Sequence, residues 1–567
     1  IVELFENILR LEKEGKNRIW TRIIKNSFAP FFVGEFDYVV GNPPWINWEN
    51  LPEDYRNSTR KLWEAYGLLK KTKGMGLGKV KRDMAMLFVA RCMDRYVRDG
   101  GTLSFLIPFT VYKTQAGAGF RRHVANYNIR KVHDLVTLYP FEGAINRTSL
   151  IVIQKAGKTK FPISCIMWHN PSSSGIDQEA ELEEVRKSTR QFDLIIMPIE
   201  ANKPESPWMA ISQKAYEGVR KAMGESPWYR AYEGVNTALN QVYWVKVLSE
   251  QLGGLLITNP PLSGQKKVVK QIKQVVEKKL VYPLVRGRNV KKWFVEEGHA
   301  YILLPVDEKG STLPHSEMKI KYPKTWEYFF NFFEDLVRRG GQPYKSKLKP
   351  YREKKFNVAE KIVPPFYWLF NVAPSLSPYK VVWKYVAGKI SGKAEFSTAV
   401  LEPIVDRFLG LKIVIPNEKL MLIPLRSRQE AYYVCGVLNS SISQLLVASY
   451  VIETAISTHV TKIIKIPKFD PKDPRHQKIL ELSMKAYEIA KKIYEENRED
   501  LRGDLEKVEE EIDKAVAELY GITDDELKEI RKCLRILKEG EISEEGEIEE
   551  VITVAPPEVF VETPVLY

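Results

Sequence analysis

The residues of this chain best suited to chemistry lie in a short loop with the sequence NPPW. Asn42, Pro43, Pro44 and Trp45 follow an apolar run, FDYVVG, at 36–41. The two prolines remove two backbone donors and fix two φ angles, so we expect the carbonyls of Asn42 and Pro43 to be rigid and without local partners. With the Asn42 side-chain oxygen they can accept hydrogen bonds from an exocyclic amino group, while Trp45 offers a face for stacking. These residues predict a site for an extruded nucleobase.

The elements that must position this loop are strands and a helix. Residues 36–40 predict a short buried strand, which Gly41 ends. Three-to-four spacing predicts a helix that begins at Asp83 and stops at Gly100-Gly101. Further strands are predicted over 103–107, 129–135 and 149–154. Strands and helices thus alternate, which is typical of a doubly wound α/β sheet.

These motifs resemble those of a known enzyme family. A strand that runs into Asn-Pro-Pro-aromatic resembles motif four of the DNA amino-methyltransferases, in the adenine-N6 form with Asn first. The order of helix, double glycine, strand and Pro108 resembles motif five and the next strand of that fold. Residues 282–293, YPLVRGRNVKKW, resemble a signature of the TaqI-like specificity domain. The chain is thus similar, over roughly 15–530, to TaqI-like (gamma-class) adenine-N6 DNA methyltransferases of type II restriction-modification enzymes.

The resemblance implies a reaction and a set of roles. A methyl group would pass from S-adenosylmethionine to N6 of a flipped adenine, whose amino group is held by Asn42 and the carbonyl of Pro43. In the family, an aromatic residue of a later loop, motif eight, covers the second face of the base that stacks on Trp45. Phe141 matches that residue best, and Tyr139 is the alternative. No metal and no covalent enzyme intermediate is implied.

The cofactor loop of the resembled family precedes motif four, and no such loop is visible before Asn42. The run GMGLG at 74–78 follows a helical pattern rather than a strand and is flanked by lysines. It therefore predicts a basic mobile loop or a solvated connector. Because the chain starts at Ile1 rather than Met, we expect the cofactor motif upstream of Ile1 or on a separate subunit, and the chain alone to be inactive.

Length and composition suit a protein of several domains with a polyanionic partner. The chain has 567 residues, 44% of them hydrophobic, and a net charge of +14 at pH 7, which favours double-stranded DNA as a partner. The sequence predicts a partial Rossmann-like methyltransferase domain, a connector, an α+β target-recognition domain and a helical tail with a disordered acidic end at 539–550. Their expected bounds are 1–165, 166–228, 229–470 and 471–567.

Basic clusters interleaved with aromatic residues are the expected contacts to DNA, because Lys and Arg neutralise phosphates. One cluster lies within 282–293 and the other, YKSKLKPYREKKF, at 344–356. The expected DNA-binding residues are Arg286, Arg288, Lys291, Lys292, Lys345, Lys347, Lys349 and Arg352. The sequence also predicts one apolar helix over 434–448 and an amphipathic helix over 501–519 that Gly521 ends.

Composition disfavours other classes of protein. The four cysteines are scattered, without zinc or disulfide spacing, which suits a reducing cytoplasm. No uninterrupted apolar run reaches membrane-spanning length. Two alternatives stay open: a non-catalytic DNA specificity subunit, and a part of a fused restriction endonuclease-methyltransferase whose nuclease lies upstream. Cytosine-N4 methylation is disfavoured because Asn, not Ser, precedes the prolines.

Overall fold

The structure of this protein is a computed structural model, which describes residues 2–69, 82–141, 147–171, 176–177, 179–261, 269–298, 300–341, 343–353, 363–385, 396–450 and 456–538. The chain divides into two compact units, Ile1–Ser212 and Gln213–Tyr567. Both contain helices and sheets, so the prediction of a mixed α/β protein is confirmed.

The described residues of the first unit form seven strands and six α-helices. The strands are β1 Phe36–Gly41, β2 Val97–Pro108, β3 Asn128–Asp134, β4 Thr148–Gln154, β5 Ile163–His169, β6 Arg190–Pro198 and β7 Trp208–Ile211. The helices are α1 Val2–Lys13, α2 Asn17–Phe32, α3 Glu53–Ala65, α4 Met84–Arg95, α5 Ala118–Val124 and α6 Leu182–Ser188. The strands form one sheet in the order β1-β2-β4-β3-β5-β6-β7.

This sheet is mixed, whereas a doubly wound sheet of parallel strands was expected. β1 pairs with β2, and β3 with β5, in parallel. In contrast, β4 is antiparallel to β2 and β3, and β6 is antiparallel to β5 and β7. β3 and β4 are consecutive in sequence and adjacent in the sheet, an arrangement common for antiparallel pairs.

The prediction that β1 is buried is wrong. Phe36 is 47% exposed, Tyr38 76% and Val40 77%. β1 is an edge strand: β2 pairs with one side of it, and no strand in the described part of the chain pairs with the other. Burial among the described residues therefore does not explain why β1 is rich in apolar side chains.

The expected stop of the first-unit helix at Gly100-Gly101 is also wrong. α4 ends at Arg95, and both glycines lie inside β2. A Cβ atom at Gly101 would lie 2.9 Å from the carbonyl oxygen of Phe36. Glycine is needed there because the backbones of β1 and β2 approach closely, not because a helix ends.

Residues 166–228 do not form the expected connector. β5 runs into this region, and β6 and β7 complete the sheet of the first unit. The segment before β7 is fixed by the buried side chain of Arg121, which donates hydrogen bonds to the carbonyl oxygens of Glu205, Val111 and Thr114. The connector was predicted from the polar composition of this region, but alternating polar residues also occur in strands with one exposed face.

The second unit consists of thirteen helices and twelve strands in the described residues. The strands are β8 Tyr232–Glu233, β9 Trp244–Gln251, β10 Gly254–Thr258, β11 Lys273–Val276, β12 Val281–Val285, β13 Ala300–Leu303, β14 Tyr379–Lys384, β15 Thr398–Leu401, β16 Ile404–Asp406, β17 Gly410–Lys412, β18 Ile415–Pro416 and β19 Leu420–Leu425. The helices are α7 Gln213–Val219, α8 Asn240–Tyr243, α9 His315–Lys321, α10 Pro323–Phe330, α11 Phe333–Val337, α12 Tyr344–Lys347, α13 Lys349–Arg352, α14 Arg428–Asn439, α15 Ser441–Tyr450, α16 Val460–Ile463, α17 Pro474–Glu495, α18 Arg502–Tyr520 and α19 Asp524–Lys538.

Three sheets organise these strands. Their orders are β11-β10-β9-β13-β12-β18, β15-β14-β19-β8 and β16-β17. An aromatic-rich core lies on the first of these sheets, and includes Tyr243, Tyr328, Phe329, Phe332 and Tyr367. A second, smaller core contains Val382, Ala399 and Leu422 of the four-stranded sheet.

The expected single helix over 434–448 is two helices. α14 ends before Ser440, which adopts an extended conformation, and α15 starts at Ser441. The Ser440 hydroxyl accepts a hydrogen bond from the backbone N–H of Ser443, which is the geometry of a helix N-cap. No single described helix is long and apolar enough to cross a membrane. The helices Arg428–Asn439 and Ser441–Ser449 together reach that length and apolarity, but they are bent by 57° relative to each other, and only length and composition favour a span.

The helical prediction for the tail is confirmed where the structure describes it. α18 ends at Gly521, whose φ of 66° is in the left-handed region that favours glycine. Thr523 and Glu526 form the reciprocal capping box that starts α19. The acidic end at 539–550 lies outside the described residues.

Candidate active site and nucleic-acid interface

The NPPW loop leaves the carboxyl end of β1. Asn42 and Pro44 are exposed, whereas Pro43 is buried. Within the described residues the Asn42 side chain makes no hydrogen bond, and no loop N–H donates to the carbonyl of Asn42 or Pro43. The exposed Asn42 amide and the two carbonyls without loop partners can accept from a ligand N–H, and their role as the acceptor set stays a prediction.

The structure brings together the side chains of Trp45 and Phe141, which are far apart in sequence. Their ring centroids are 5.7 Å apart and their planes are at 89°. The indole N–H of Trp45 donates to the carbonyl oxygen of Leu106 at 3.3 Å, which ties the ring to β2. Tyr139, the alternative aromatic residue, has a φ of 46°, a strained conformation for a residue with a side chain.

The observed ring geometry does not admit a base between the two rings. A base stacked on both sides needs parallel rings about 7 Å apart, that is two contacts of roughly 3.5 Å. The perpendicular arrangement of Trp45 and Phe141 is closer than that. A base stacked between the two rings would require one of them to move, and Trp45 is the ring held by a hydrogen bond to β2.

A second set of contacts fixes the loop to the start of α4. Asn47 and Asp83 form a backbone bridge. The Trp48 N–H donates to the carbonyl oxygen of Arg82 at 2.7 Å, and the Met84 N–H donates to that of Ile46 at 2.9 Å. The loop is therefore held at both ends, by β1 and by α4.

The carboxylate of Asp83 lies at the start of α4, where the backbone of Asp83 pairs with that of Asn47. It accepts a hydrogen bond from the Ala85 N–H at 2.9 Å and caps α4. Burial raises the pKa of Asp83 to about 6, although the hydrogen bond from Ala85 opposes that rise. Sequence analysis assigned Asp83 no role in the site; its position at the helix start was the available signal.

In the first predicted DNA-binding cluster, two of the four cations are already paired. The Lys292 ammonium lies 2.7 Å from the carboxylate of Glu509 on α18, which also accepts the indole N–H of Trp293 at 2.6 Å. Lys291 lies 3.5 Å from Glu296. The Arg286 guanidinium lies over the ring of Trp244 at 5.7 Å, and Arg288 is exposed.

The described part of the second predicted cluster forms two short helices, α12 and α13. Lys345 and Lys347 are exposed on α12. Lys349 lies 3.2 Å from Glu353, and Arg352 donates to the carbonyl oxygen of Lys345. The end of this cluster, 354–356, lies outside the described residues, as does the glycine run at 74–78. Among the described residues no group of His, Cys, Asp or Glu is arranged to hold a metal ion.

The first unit is thus a mixed α/β fold, with the NPPW loop at the end of β1 and Phe141 against Trp45. In agreement, residues 2–141 match the family model of the Eco57I restriction-modification methylases. The predicted resemblance to restriction-modification methylases is therefore confirmed for this segment of the chain.

A curated relative points the same way. Over 137 residues, the chain is 23% identical to the modification methylase CviBIII of Paramecium bursaria Chlorella virus NC1A. The alignment covers 24% of this chain and 31% of the relative. The chain thus spans about a third of the length of this relative.

Two solved structures are similar over most of the chain. The type IIL restriction-modification enzyme MmeI in complex with DNA has a TM-score of 0.49 and 10% identity, with 88% of this chain and 57% of that chain covered. The type IIG restriction endonuclease BpuSI has a TM-score of 0.27 and 13% identity, with 87% and 55% covered.

Proposed function

We propose that this chain is the base-binding and DNA-binding part of a site-specific DNA methyltransferase of a restriction-modification system, which methylates adenine at N6. The NPPW loop with Phe141 against Trp45 carries this proposal. The family of residues 2–141 supports a DNA-methylating activity, and Asn before the two prolines supports adenine as the target.

In the proposed reaction, the loop acts on the exocyclic amine of a flipped adenine. The lone pair of that nitrogen is delocalised into the ring, which makes it a weak nucleophile. Hydrogen bonds from its two N–H groups to the Asn42 side-chain oxygen and the Pro43 carbonyl draw electron density back to the nitrogen. The nitrogen forms a bond to the methyl carbon while the bond from that carbon to the donor's sulfonium sulfur breaks, with its electron pair staying on sulfur. The nitrogen then releases one proton to water, so no covalent bond to the enzyme is needed.

Trp45 and Phe141 supply the binding energy that keeps the base out of the helix. Stacking of a base on an aromatic ring contributes about 1 to 3 kcal/mol and tolerates any base. The site therefore separates two tasks: the rings capture a base, and the acceptors of Asn42 and Pro43 select one with an amino group.

S-adenosylmethionine is the proposed methyl donor, and it would supply the transferred methyl group. The described residues fit the base rather than the donor, because the acceptors of Asn42 and the rings of Trp45 and Phe141 all suit an aminopurine. We assign no described residue to the donor. The expected loss of activity in the isolated chain stays a prediction.

The test replaces Asn42 with alanine in the natural gene product that contains this chain. Methyl transfer should fall by about 10² to 10³, because a preorganised partner of the reacting group is removed, while duplex binding stays unchanged. Tritium transfer from labelled S-adenosylmethionine measures the rate, and single-molecule sequencing of DNA from an expressing host identifies the modified base.

Asn57→Ala is the matched control, since Asn57 is an exposed asparagine on α3. It should leave transfer unchanged. Near wild-type transfer by the Asn42 variant would refute the role of the loop, and N4-methylcytosine in the host DNA would refute the choice of adenine.

A further inference from the structure

A two-stranded ribbon extends the surface of the second unit. It consists of β16, β17 and their turn, residues 404–412, and we call it the β16–β17 ribbon. Its strands pair only with one another in the described residues, with Val405 opposite Leu411 and Asp406 opposite Gly410. Side chains alternate between the two faces of such a ribbon.

One face of the ribbon is anchored to the six-stranded sheet. The Asp406 carboxylate accepts the hydroxyl of Tyr301, on β13, at 2.8 Å. The Lys412 ammonium donates to the carbonyl oxygen of Lys279 at 2.9 Å and lies 4.2 Å from the ring centre of Tyr282. The position of the ribbon is therefore fixed by contacts at both of its ends.

The other face of the ribbon has an apolar pair in solvent. Val405 is 82% exposed and Leu411 73% exposed, and they lie directly opposite each other. Burying such a pair would remove apolar surface from water, which is favourable. An anchored ribbon that keeps an apolar pair outward is suited to contact a partner rather than to stabilise its own fold.

The base and the turn of the ribbon carry cationic side chains. Lys412 lies beside Lys278 and Lys279 at the base of the ribbon, and only Lys278 among the three has an ion-pair partner in the described residues, Glu250 at 3.2 Å. Arg407 is exposed in the turn, with its guanidinium over the ring of Phe408. Positive charge without paired carboxylates, close to the exposed Val405 and Leu411, favours a polyanionic partner whose grooves contain apolar groups.

We propose that the β16–β17 ribbon enters the major groove of the DNA bound by this chain, with Val405 and Leu411 against base edges and Lys279 and Lys412 on backbone phosphates. This inference rests on the proposed function. The major groove, about 12 Å wide, admits a two-stranded ribbon, and thymine presents a methyl group there that apolar side chains contact. The ribbon thereby becomes a determinant of the recognition sequence.

The first experiment changes both apolar residues, Val405→Gln and Leu411→Gln, in the natural gene product. Wild type and variant are each used to select duplexes from a random pool, which is then sequenced. We expect the variant to lose preference at one or more thymine-containing positions and to bind the wild-type site about tenfold more weakly. Positions read by other elements should stay selected.

Ile320→Gln is the matched control, because Ile320 is an exposed apolar residue, 80% accessible, on α9. It should leave the selected sequence and the affinity unchanged. An unchanged sequence and affinity in the double variant would overturn the ribbon assignment, and so would an equal loss in the Ile320 variant. Absence of any duplex binding by wild type would instead overturn the proposed function.

The second experiment tests the phosphate contacts. Lys279→Gln should weaken binding to all duplexes alike and lower the slope of log affinity against log salt by about one. Lys507→Gln, at an exposed lysine of α18 that pairs with Asp504, should not change the slope. A Lys279 variant with the wild-type slope would overturn the phosphate contact.

The ammonium of Lys412 gives this contact a pH dependence. Burial, followed by the charges of Lys279 and Lys278, lowers the pKa of Lys412 to about 8. A phosphate favours the protonated form, so affinity should fall as the pH rises from about 7 to about 9. Lys412→Arg should remove this fall, since arginine stays charged; the same fall in both proteins would contradict the contact.

Discussion

The contact between Trp45 and Phe141 controls entry to the proposed base site. The two rings are perpendicular, and the hydrogen bond from Trp45 to Leu106 holds one of them. Base capture must therefore exchange an aromatic contact within the protein for two contacts with the base. The net gain is smaller than two full stacking energies, because the contact between Trp45 and Phe141 is lost.

Replacing Phe141 with alanine should weaken base capture by about 1 to 3 kcal/mol, because one stacking face is lost. Trp45→Ala should have an effect of similar size. A fluorescent adenine analogue at the mapped target position reports extrusion. Tyr55→Ala is the control, since Tyr55 is 44% exposed on α3. If Tyr139→Ala, but not Phe141→Ala, impairs extrusion, then Tyr139 is the stacking residue.

The raised pKa of Asp83 predicts an unusual pH dependence of stability. The folded pKa, about 6, is above the ordinary value of 3.8, so the folded state binds the proton more tightly than the unfolded state. Stability contributed by this group should therefore decrease as the pH rises from about 4 to about 6. Asp83→Asn keeps the cap of α4 and should flatten that part of the profile, as measured by urea unfolding. An unchanged slope would contradict the shift.

At the scale of residues, the local structure of the NPPW loop was easier to predict than the ion pairs of the basic clusters. Asn42 and Trp45 are neighbours in a short motif, so their placement follows from local constraints. Whether Lys292 is ion-paired depends on Glu509, which is remote in sequence. Glu509 approaches Lys292 only when α18 packs within the second unit. A pattern of charges along the chain contains no information about such a partner.

Among the elements, the break between α14 and α15 shows how side chains override apolar periodicity. The side chain of Asn439, at the end of α14, accepts the Thr398 N–H at 2.8 Å and donates to its carbonyl oxygen at 2.9 Å. Ser440 then caps α15. The run Asn-Ser-Ser was a visible cap signal within the predicted helix, whereas the pairing of Asn439 with β15 required the tertiary structure.

The start of α15 also depends on a helix of the tail. The carboxylate of Asp513, on α18, accepts the N–H and the hydroxyl of Ser441 at 2.7 Å each. Arg531, on α19, donates to the same carboxylate at 2.8 Å. Because Asp513 is 5% exposed, this carboxylate joins three helices away from solvent. The tail is thus an integral part of the second unit.

Asp513→Ala should destabilise the second unit by about 2 kcal/mol or more, because it leaves the Arg531 charge and the start of α15 without their partner. Urea unfolding measures the loss, and thiol labelling of the buried Cys533 on α19 should become faster. Asp504→Ala, at an exposed ion pair of α18, is the control and should stay within about 0.5 kcal/mol. Equal stabilities of the two variants would refute the proposed importance of the network.

For the whole molecule, the central prediction separates DNA binding from cofactor binding. Residues 1–567 should bind duplex DNA, and affinity should fall steeply with salt, by about 10³ between roughly 50 and 200 mM if about six phosphates are neutralised. Binding of S-adenosylmethionine should be weak, as the sequence analysis predicted. Calorimetry with each ligand tests both parts. Tight cofactor binding would refute the interpretation of the glycine run, and salt-insensitive DNA binding would refute the recognition domain.

The extent of the first unit was harder to predict than its motifs. The sheet continues through β6 and β7 to Ile211, far beyond the predicted boundary at 165. Residue spacing shows where strands lie, but it does not show which strands share a sheet, because pairing over long sequence separations depends on the packed core. The predicted boundary at 165 was therefore based on composition, and it was wrong.

The exposed edge formed by β1 has a practical consequence for handling the protein. A strand with free backbone groups and apolar side chains in solvent can recruit a strand from another molecule. Charged residues usually discourage such recruitment, but Asp37, the one charged residue of β1, forms an ion pair with Arg98. Purified material should therefore aggregate as its concentration rises, and a solubilising fusion partner at the amino terminus is the appropriate remedy.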